Sequence, residues 1–450
     1  MGSSVPLGKS RIDEGVQFVK LSKALKWGSA VAVAVALTTA CGTSSSNGGN
    51  TSNSSGSSAK KVEIFSWWTG AGEADGLQAL IKLFQNQNPD IQVQNSAVAG
   101  GAGTNAKQVL ATRMNANNPP DTFQVHAGAE LMSWVDAGKM QPLNDLYQQE
   151  GWNDKFPKQL IDMVSKDGQI YGVPVDIHRG NVLWYNKKIF DQYHLTPPKT
   201  FDDFFKDADV LKAHGVTPLA LGDKDTWEAT MLWEDVLLGT IGADKYDQLW
   251  QGKLSFDDPG VKQSLETFKK MLQYVNSDHA SLVWQDASQL VANGKAAMNV
   301  MGDWAKGYFT TDLHLKPNVD FGWVTTPGTD SDFMVISDTF GLPKGAPHQD
   351  GAIAFLKVLG SQAGQDAFNP LKGSIPARLD ADTSKYDVYS QSAIADFKKD
   401  SLTPSLAHGS AANPGFLDAV NQAMQVFVSN GDINSFITQL KSAADQNPLS

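Results

Sequence analysis

Lys61-Val-Glu-Ile-Phe-Ser-Trp-Trp68 alternates apolar and polar residues and is rich in β-formers, which predicts a strand. Thr69-Gly-Ala-Gly72 turns the chain, and Leu77, Leu80, Ile81 and Phe84 then recur at helical spacing over 73–87. A proline break at Pro89 opens a second strand over 89–94. Residues 106–116 predict another helix, and Pro119-Pro-Asp-Thr-Phe-Gln-Val125 leads into a third strand. Strand, helix, strand, helix, strand points to a mostly parallel sheet covered by helices on both faces. Ligands of such sheets sit beyond the carboxyl ends of the strands, where Trp67, Trp68, Gln124 and His126 fall.

Residues 172–186 are extended with no helical period, which suits a chain crossing from one domain to another. Helical segments follow near 201–214, 228–238, 261–275 and 286–293. The β pattern returns near 321–326 and 333–342, a crossing back, and 369–374 offers a third crossing. Terminal helices are predicted at 418–430 and 432–446. Three crossings between two lobes make a hinge and favour rigid-body closure over a ligand held between them.

Upstream of this pattern lies a short apolar run, Val31-Ala-Val-Ala-Val-Ala-Leu-Thr-Thr-Ala40, flanked by Lys9, Arg11, Lys20, Lys23 and Lys26 and ended by Cys41, the chain's one cysteine. A spanning helix needs about 20 apolar residues, so this run is short for one. A basic flank, a short apolar core, small residues and a Cys are the order of an export signal whose cysteine takes a lipid. Leu37-Thr-Thr-Ala-Cys41 resembles the bacterial lipobox, with its leucine one place early. Residues 1–40 are thus expected to be a lipoprotein signal and Cys41 the acylated mature N-terminus. The Ser/Gly/Asn-rich stretch 41–60 can bury nothing and reads as a flexible tether. Lipid on Cys41 would hold the protein at the extracellular face of the membrane, or on the periplasmic side where an outer membrane exists.

Charge narrows the partners. The chain has 37 basic and 48 acidic residues, and the leader alone removes five basic and two acidic ones, so the remainder is more acidic still. That argues against nucleic acid and anionic lipid surfaces as partners. Tryptophan outnumbers tyrosine, 12 to 9, and indole offers a large rigid apolar face with one donor. No hydrolase, metalloprotease or phosphate-loop signature is present, and the histidines show no zinc-ligand spacing. Gly100-Gly-Ala-Gly103 lacks the dinucleotide spacing and reads as a turn. No cofactor and no metal is expected. What recurs is tryptophan beside amide, imidazole or carboxylate, as in Trp284-Gln285-Asp286 and Asp303-Trp304. An indole can cover the flat C–H face of a pyranose while planar polar groups take its hydroxyls.

Phe65-Ser-Trp-Trp68, Asp121-Thr-Phe-Gln-Val-His-Ala-Gly128, Gly172-Val-Pro-Val-Asp-Ile-His178, Asn299-Val-Met-Gly-Asp-Trp304, Ser337-Asp-Thr-Phe-Gly-Leu-Pro343 and Asn369-Pro-Leu-Lys-Gly-Ser374 occur in that order. Together, from Val62 onward, they resemble the extracellular solute-binding proteins of bacterial ABC sugar importers, most of all the glucose/galactose-binding branch. The resemblance implies an α/β, periplasmic-binding-protein-like fold: two α/β lobes joined by a multi-segment hinge, with the ligand cleft between them. It places lobe 1 at 61–174 plus 335–372 and lobe 2 at 175–334 plus 373–450. It implies a monomeric receptor that delivers one monosaccharide to ABC permease subunits and is not an enzyme.

Carried over residue by residue, the resemblance makes Trp67 and Trp68 walls of the sugar site, with Glu73 a hydroxyl acceptor one residue further along its turn than expected. Gln124 and His126 would bond hydroxyls, and Trp284 and Trp304 would cover a ring face. Asp338 would take a pair of hydroxyls, Lys372 would donate to one or to the ring oxygen, and His408 would complete the pocket. One of Trp67 and Trp68 must face inward, because adjacent strand residues point to opposite sides. Trp184, Trp227 and Trp233 are candidates for core, and Asp176 and His178 for hinge or cleft. A receptor for disaccharides or oligosaccharides is the alternative. A secreted glycoside-active enzyme would need two carboxyls about 5–9.5 Å apart across the scissile bond, and the sequence supports no such pair.

Overall fold

The alternation at 61–68 does produce a strand, Lys60–Phe65, in the computed structural model, which describes residues 60–449. The signal segment, Cys41 and the tether lie outside the described residues, except Lys60, expected at the end of the tether, which instead opens the first strand. Lys60–Phe65 pairs in parallel with Ile91–Asn95 on one side and Thr122–His126 on the other. Helices Ala71–Gln87 and Thr104–Asn115 make the crossovers. All five residues of Thr122–His126 are buried, as a strand covered on both faces requires. Asp338–Gly341 then lies antiparallel beside it and pairs with Gly172–Pro174 on its far side. The sheet is therefore mostly parallel, as the local pattern predicts, with Asp338–Gly341 its one reversed strand. The antiparallel strand comes back from far along the chain, and local periodicity carries no signal for that pairing.

Val182–Asn186 and Ala296–Val300 are the inner strands of a second mixed sheet, flanked by Phe321–Thr325 and Thr217–Ala220. Two of its helices start on side-chain caps. The Thr200 hydroxyl oxygen accepts from the Asp203 N–H ahead of Phe201–Ala213, and the Asp258 carboxylate accepts from Gly260 N–H ahead of Pro259–Met271. Helix Trp227–Ile241 is buried along almost its whole length, Trp233 included, which makes it an interior helix. Trp184 is likewise core, donating its indole N–H to the Met301 carbonyl at 2.8 Å.

A third sheet gathers the linking segments in the order Ile375–Pro376, Asp176–Arg179, Asp332–Ile336, Ser401–Pro404. The chain passes from Gly172–Pro174 of the first sheet through Asp176–Arg179 to Val182–Asn186 of the second. It returns from Phe321–Thr325 through Asp332–Ile336 to Asp338–Gly341. Two α/β lobes are thus joined by a hinge of several segments. The crossing expected at 369–374 starts later: helix Gln362–Lys372 continues through Pro370 and stops at Gly373, which takes a left-handed φ of 101°. Packing against Ala71–Gln87 outweighs the proline's poor helical propensity. A Cβ on Gly373 would lie 2.6 Å from the Asp303 carbonyl oxygen, so the close approach there requires glycine. No helix among the described residues is long and apolar enough to cross a membrane.

Candidate functional site

Trp67 follows the strand Lys60–Phe65, His126 ends Thr122–His126, and Asp338 opens the antiparallel return, opposite His126 in register. The return therefore places its first residue at the carboxyl ends of the parallel strands, where the first sheet exposes a ligand site. Three further helices, Trp227–Ile241, Trp284–Ala292 and Trp304–Gly307, each begin with a tryptophan. These indoles, with Glu73, His178, Lys372 and His408, line a cavity of about 610 Å³ that is open to solvent. The turn at Gly100, Gly101 and Ala102 closes one side of it.

Hydrogen bonds hold the polar wall rigid. Gln124 accepts the Trp67 N–H at 3.0 Å and donates to Asp338 Oδ1 at 2.7 Å. His126 Nδ1 is bonded to Glu130 Oε2 at 2.8 Å, and Lys107 meets the same oxygen at 2.8 Å. With Nδ1 so occupied, His126 Nε2 is left toward Asp338, 3.7 Å away. Lys372 donates to Glu73 Oε1 at 2.8 Å and stands 4.0 Å from Asp338 Oδ2. Burial pulls the Lys372 pKa down, but the charges of Glu73, Asp338 and Asp176 outweigh it, so the ammonium stays charged. Burial, followed by the nearby charge of Asp176, raises Asp338 above the usual carboxylate range.

His178 sits where the third sheet meets the cavity. Burial and Lys372 depress its pKa, but Asp176 and Asp303 more than compensate and raise it to about 9. His408 behaves in the opposite way: burial first of all drives its pKa well below the ordinary value, which keeps the ring neutral. Its ring lies 4.9 Å from that of Trp304 and 5.3 Å from that of Trp227, while Trp67 and His126 are 5.0 Å apart. The cavity thus combines apolar ring faces with a cation, carboxylates and imidazoles. That set suits a small molecule with flat apolar faces and several hydroxyls.

Eight of the ten pocket residues named from the sequence line this cavity: Trp67, Glu73, His126, Trp284, Trp304, Asp338, Lys372 and His408. Trp68 does not. It points the other way from Trp67 and packs in the core on Phe340 and Phe368, with ring centroids at 5.6 and 4.6 Å. Gln124 does not reach the cavity either, since both ends of its amide are spent on Trp67 and Asp338. Trp227, which the sequence allows as core, lines the cavity instead. A strained turn delivers it: Thr226 has φ 70°, and the Trp227 N–H bonds to the Asp225 carbonyl at 2.9 Å. His178 is both hinge strand and cavity lining, and Gly100, Gly101 and Ala102 of the glycine turn are part of the wall.

A family model described as bacterial extracellular solute-binding protein matches residues 70–366. An uncharacterized ABC transporter extracellular-binding protein of Pyrococcus horikoshii is 41% identical over 394 residues, 87% of this chain and 88% of its own. A probable sugar-binding periplasmic protein of Mesorhizobium japonicum is 34% identical over 396 residues, 86% of this chain and 94% of its own. Among solved structures, the bacterial solute receptor AcbH, described with an exclusive preference for β-D-galactopyranose, matches with a TM-score of 0.77. That match covers 86% of this chain and 98% of AcbH at 20% identity, which is a likeness of fold.

Proposed function

Because this chain belongs to the bacterial extracellular solute-binding protein family, we propose that it is the sugar-binding receptor of an ABC importer. We further propose that its ligand is a monosaccharide, glucose or galactose. The observation that carries this reading is the convergence of Trp67, Trp227, Trp284 and Trp304 with Glu73, Asp338, Lys372 and His126 on one cavity. Indoles cover the C–H faces of a pyranose, and the charged and imidazole groups satisfy hydroxyls that would otherwise be buried unpaired.

In this reading lobe 1 is 61–174 plus 335–372 and lobe 2 is 175–334 plus 373–450. The sugar binds the closed arrangement of the lobes better than the open one and so shifts the population toward it. The closed form is what the permease subunits receive. Cys41 carries the lipid, residues 41–59 are the tether, and the receptor works as a monomer at the outer face of the membrane. An adjoining cleft that shares Ala102 and Trp227 with the cavity favours a second reading, a disaccharide or longer ligand reaching past Trp227.

Calorimetric titration with glucose, galactose, mannose, xylose and maltose, repeated on Trp304→Ala, tests both. One-to-one binding of a hexose that is lost in the variant supports the monosaccharide reading. Binding of maltose alone moves the assignment to the longer ligand, and silence across the panel refutes both.

A further inference from the structure

At the junction of the third sheet with the first, Asp176, His178 and Asp338 each turn one donor atom toward a common point. Those three atoms all lie within 4.8 Å of one another. The residues are 0%, 1% and 3% exposed. His178 Nε2 stands 3.3 Å from Asp176 Oδ2 and 3.7 Å from Asp338 Oδ2. Tetrahedral zinc, bonded at about 2.0–2.2 Å to imidazole nitrogen and carboxylate oxygen, holds neighbouring donors about 3.3–3.5 Å apart. The two spacings from His178, 3.3 and 3.7 Å, are close to those of a coordination shell.

Two independent features point the same way. Apart from each other, at 3.3 Å, the buried atoms Asp176 Oδ2 and His178 Nε2 have no hydrogen-bond partner among the described residues. The groups behind them are those that orient a metal-binding histidine. His178 Nδ1 is bonded to Asp303, whose other oxygen takes the Arg179 N–H at 3.1 Å and the Tyr389 hydroxyl at 3.2 Å. The second oxygen of Asp176 is likewise fixed, by the Asp338 N–H at 2.8 Å. Four carboxylates, those of Asp176, Asp303, Asp338 and Glu73, face two cations here, the Lys372 ammonium drawn to Glu73 and the His178 imidazolium.

We infer that Asp176, His178 and Asp338 form a seat for one divalent transition-metal cation of the zinc type, with its open coordination position toward the cavity. Calcium and magnesium are disfavoured, because they call for six or more oxygen ligands. On binding, His178 coordinates through Nε2 and gives up the proton there to solvent, while Nδ1–H stays on Asp303.

The inference goes beyond the sugar reading and needs no sugar for its test. The purified chain, freed of metal by EDTA and dialysed, is titrated with Co²⁺ and followed by visible absorption. One equivalent should develop the intense d–d bands of four-coordinate cobalt, Zn²⁺ should bleach them, and His178→Gln and Asp176→Asn should not show them. Circular dichroism identifies any variant that fails to fold, and Asp338→Asn then serves in its place. A wild-type chain showing only the weak spectrum of hydrated cobalt at saturation overturns the inference. So do bands that persist in folded His178→Gln. A chain that binds cobalt but no hexose sinks the sugar reading alone.

Discussion

Glu234 lies in the interior of helix Trp227–Ile241 and fastens the loop that carries His408 into the cavity. Its carboxylate accepts the N–H groups of Leu406 at 2.6 Å and Ala407 at 3.0 Å, and the hydroxyls of Ser405 at 2.7 Å and Tyr246 at 3.1 Å. Burial raises its pKa, and those donors only partly offset the burial, leaving about 7 against an ordinary 4.5. A folded-state pKa above the unfolded one means that the folded chain holds this proton more tightly. The stability it lends is complete below 4.5 and is lost as pH rises through about 7. Spread over that interval, the effect amounts to roughly 3 kcal/mol at about 1.4 kcal/mol per pH unit. Glu234→Gln removes the titration at nearly constant size. Asp235 and Tyr246, whose pKa values are raised by burial and by Glu234, shift when Glu234 is replaced, so the difference between the two proteins reports Glu234 together with the groups coupled to it. Urea unfolding from below pH 4.5 to above pH 7 should show wild type losing stability more steeply than the variant across the interval. Parallel pH profiles would refute the reasoning.

Trp68 and Trp304 separate packing from binding. Trp68→Ala should cost about 3–5 kcal/mol in denaturant stability while the folded fraction keeps its affinity, whereas Trp304→Ala should lower hexose affinity by about tenfold or more, read by calorimetry. Lys372→Met strands Glu73 and Asp338 without their buried cation, so it should destabilise the fold by about 3–5 kcal/mol, seen as a lowered Tm. Gly103 has φ 77°, and a Cβ there would stand 2.7 Å from the Trp67 ring. Gly103→Ala should therefore add about 1–2 kcal/mol of backbone strain and weaken hexose binding, and unchanged affinity would show that Trp67 does not need its position.

The parts of the site that follow from local pattern were readable in the chain. Trp67 and His126 end strands whose alternation is plain, and Trp284 and Trp304 stand beside polar residues at helix starts. The pairing of Asp338 with His126 was not readable from local pattern, because a strand returning from the second lobe carries no local mark of its neighbour. The same holds for the Asp176–His178–Asp338 cluster, whose third member arrives on that strand; without it, Asp-x-His is not a metal spacing. Trp227 was ambiguous for another reason. It opens an almost fully buried helix, and only the strained backbone at Thr226 turns it into the cavity.

The hinge sheet also determines which part of the site moves. Asp176 and His178 belong to the hinge strand Asp176–Arg179, and Asp338 follows directly on the hinge strand Asp332–Ile336. In the proposed closure, a rotation about this sheet would displace its pivot residues least and leave His178 and Asp338 in the cavity floor preformed. Trp284 stands on a helix of the proposed second lobe, away from the pivot, and the proposed closure would carry it in. Ligand should then meet the carboxylates and imidazoles of the floor first and gain the Trp284 face on closing. Small-angle scattering should show a smaller radius of gyration with hexose than without. Trp284→Ala should retain weak binding but lose that contraction, because the closed form loses the contact that favours it. Full contraction in Trp284→Ala, or none in wild type at saturating hexose, would refute this order of events.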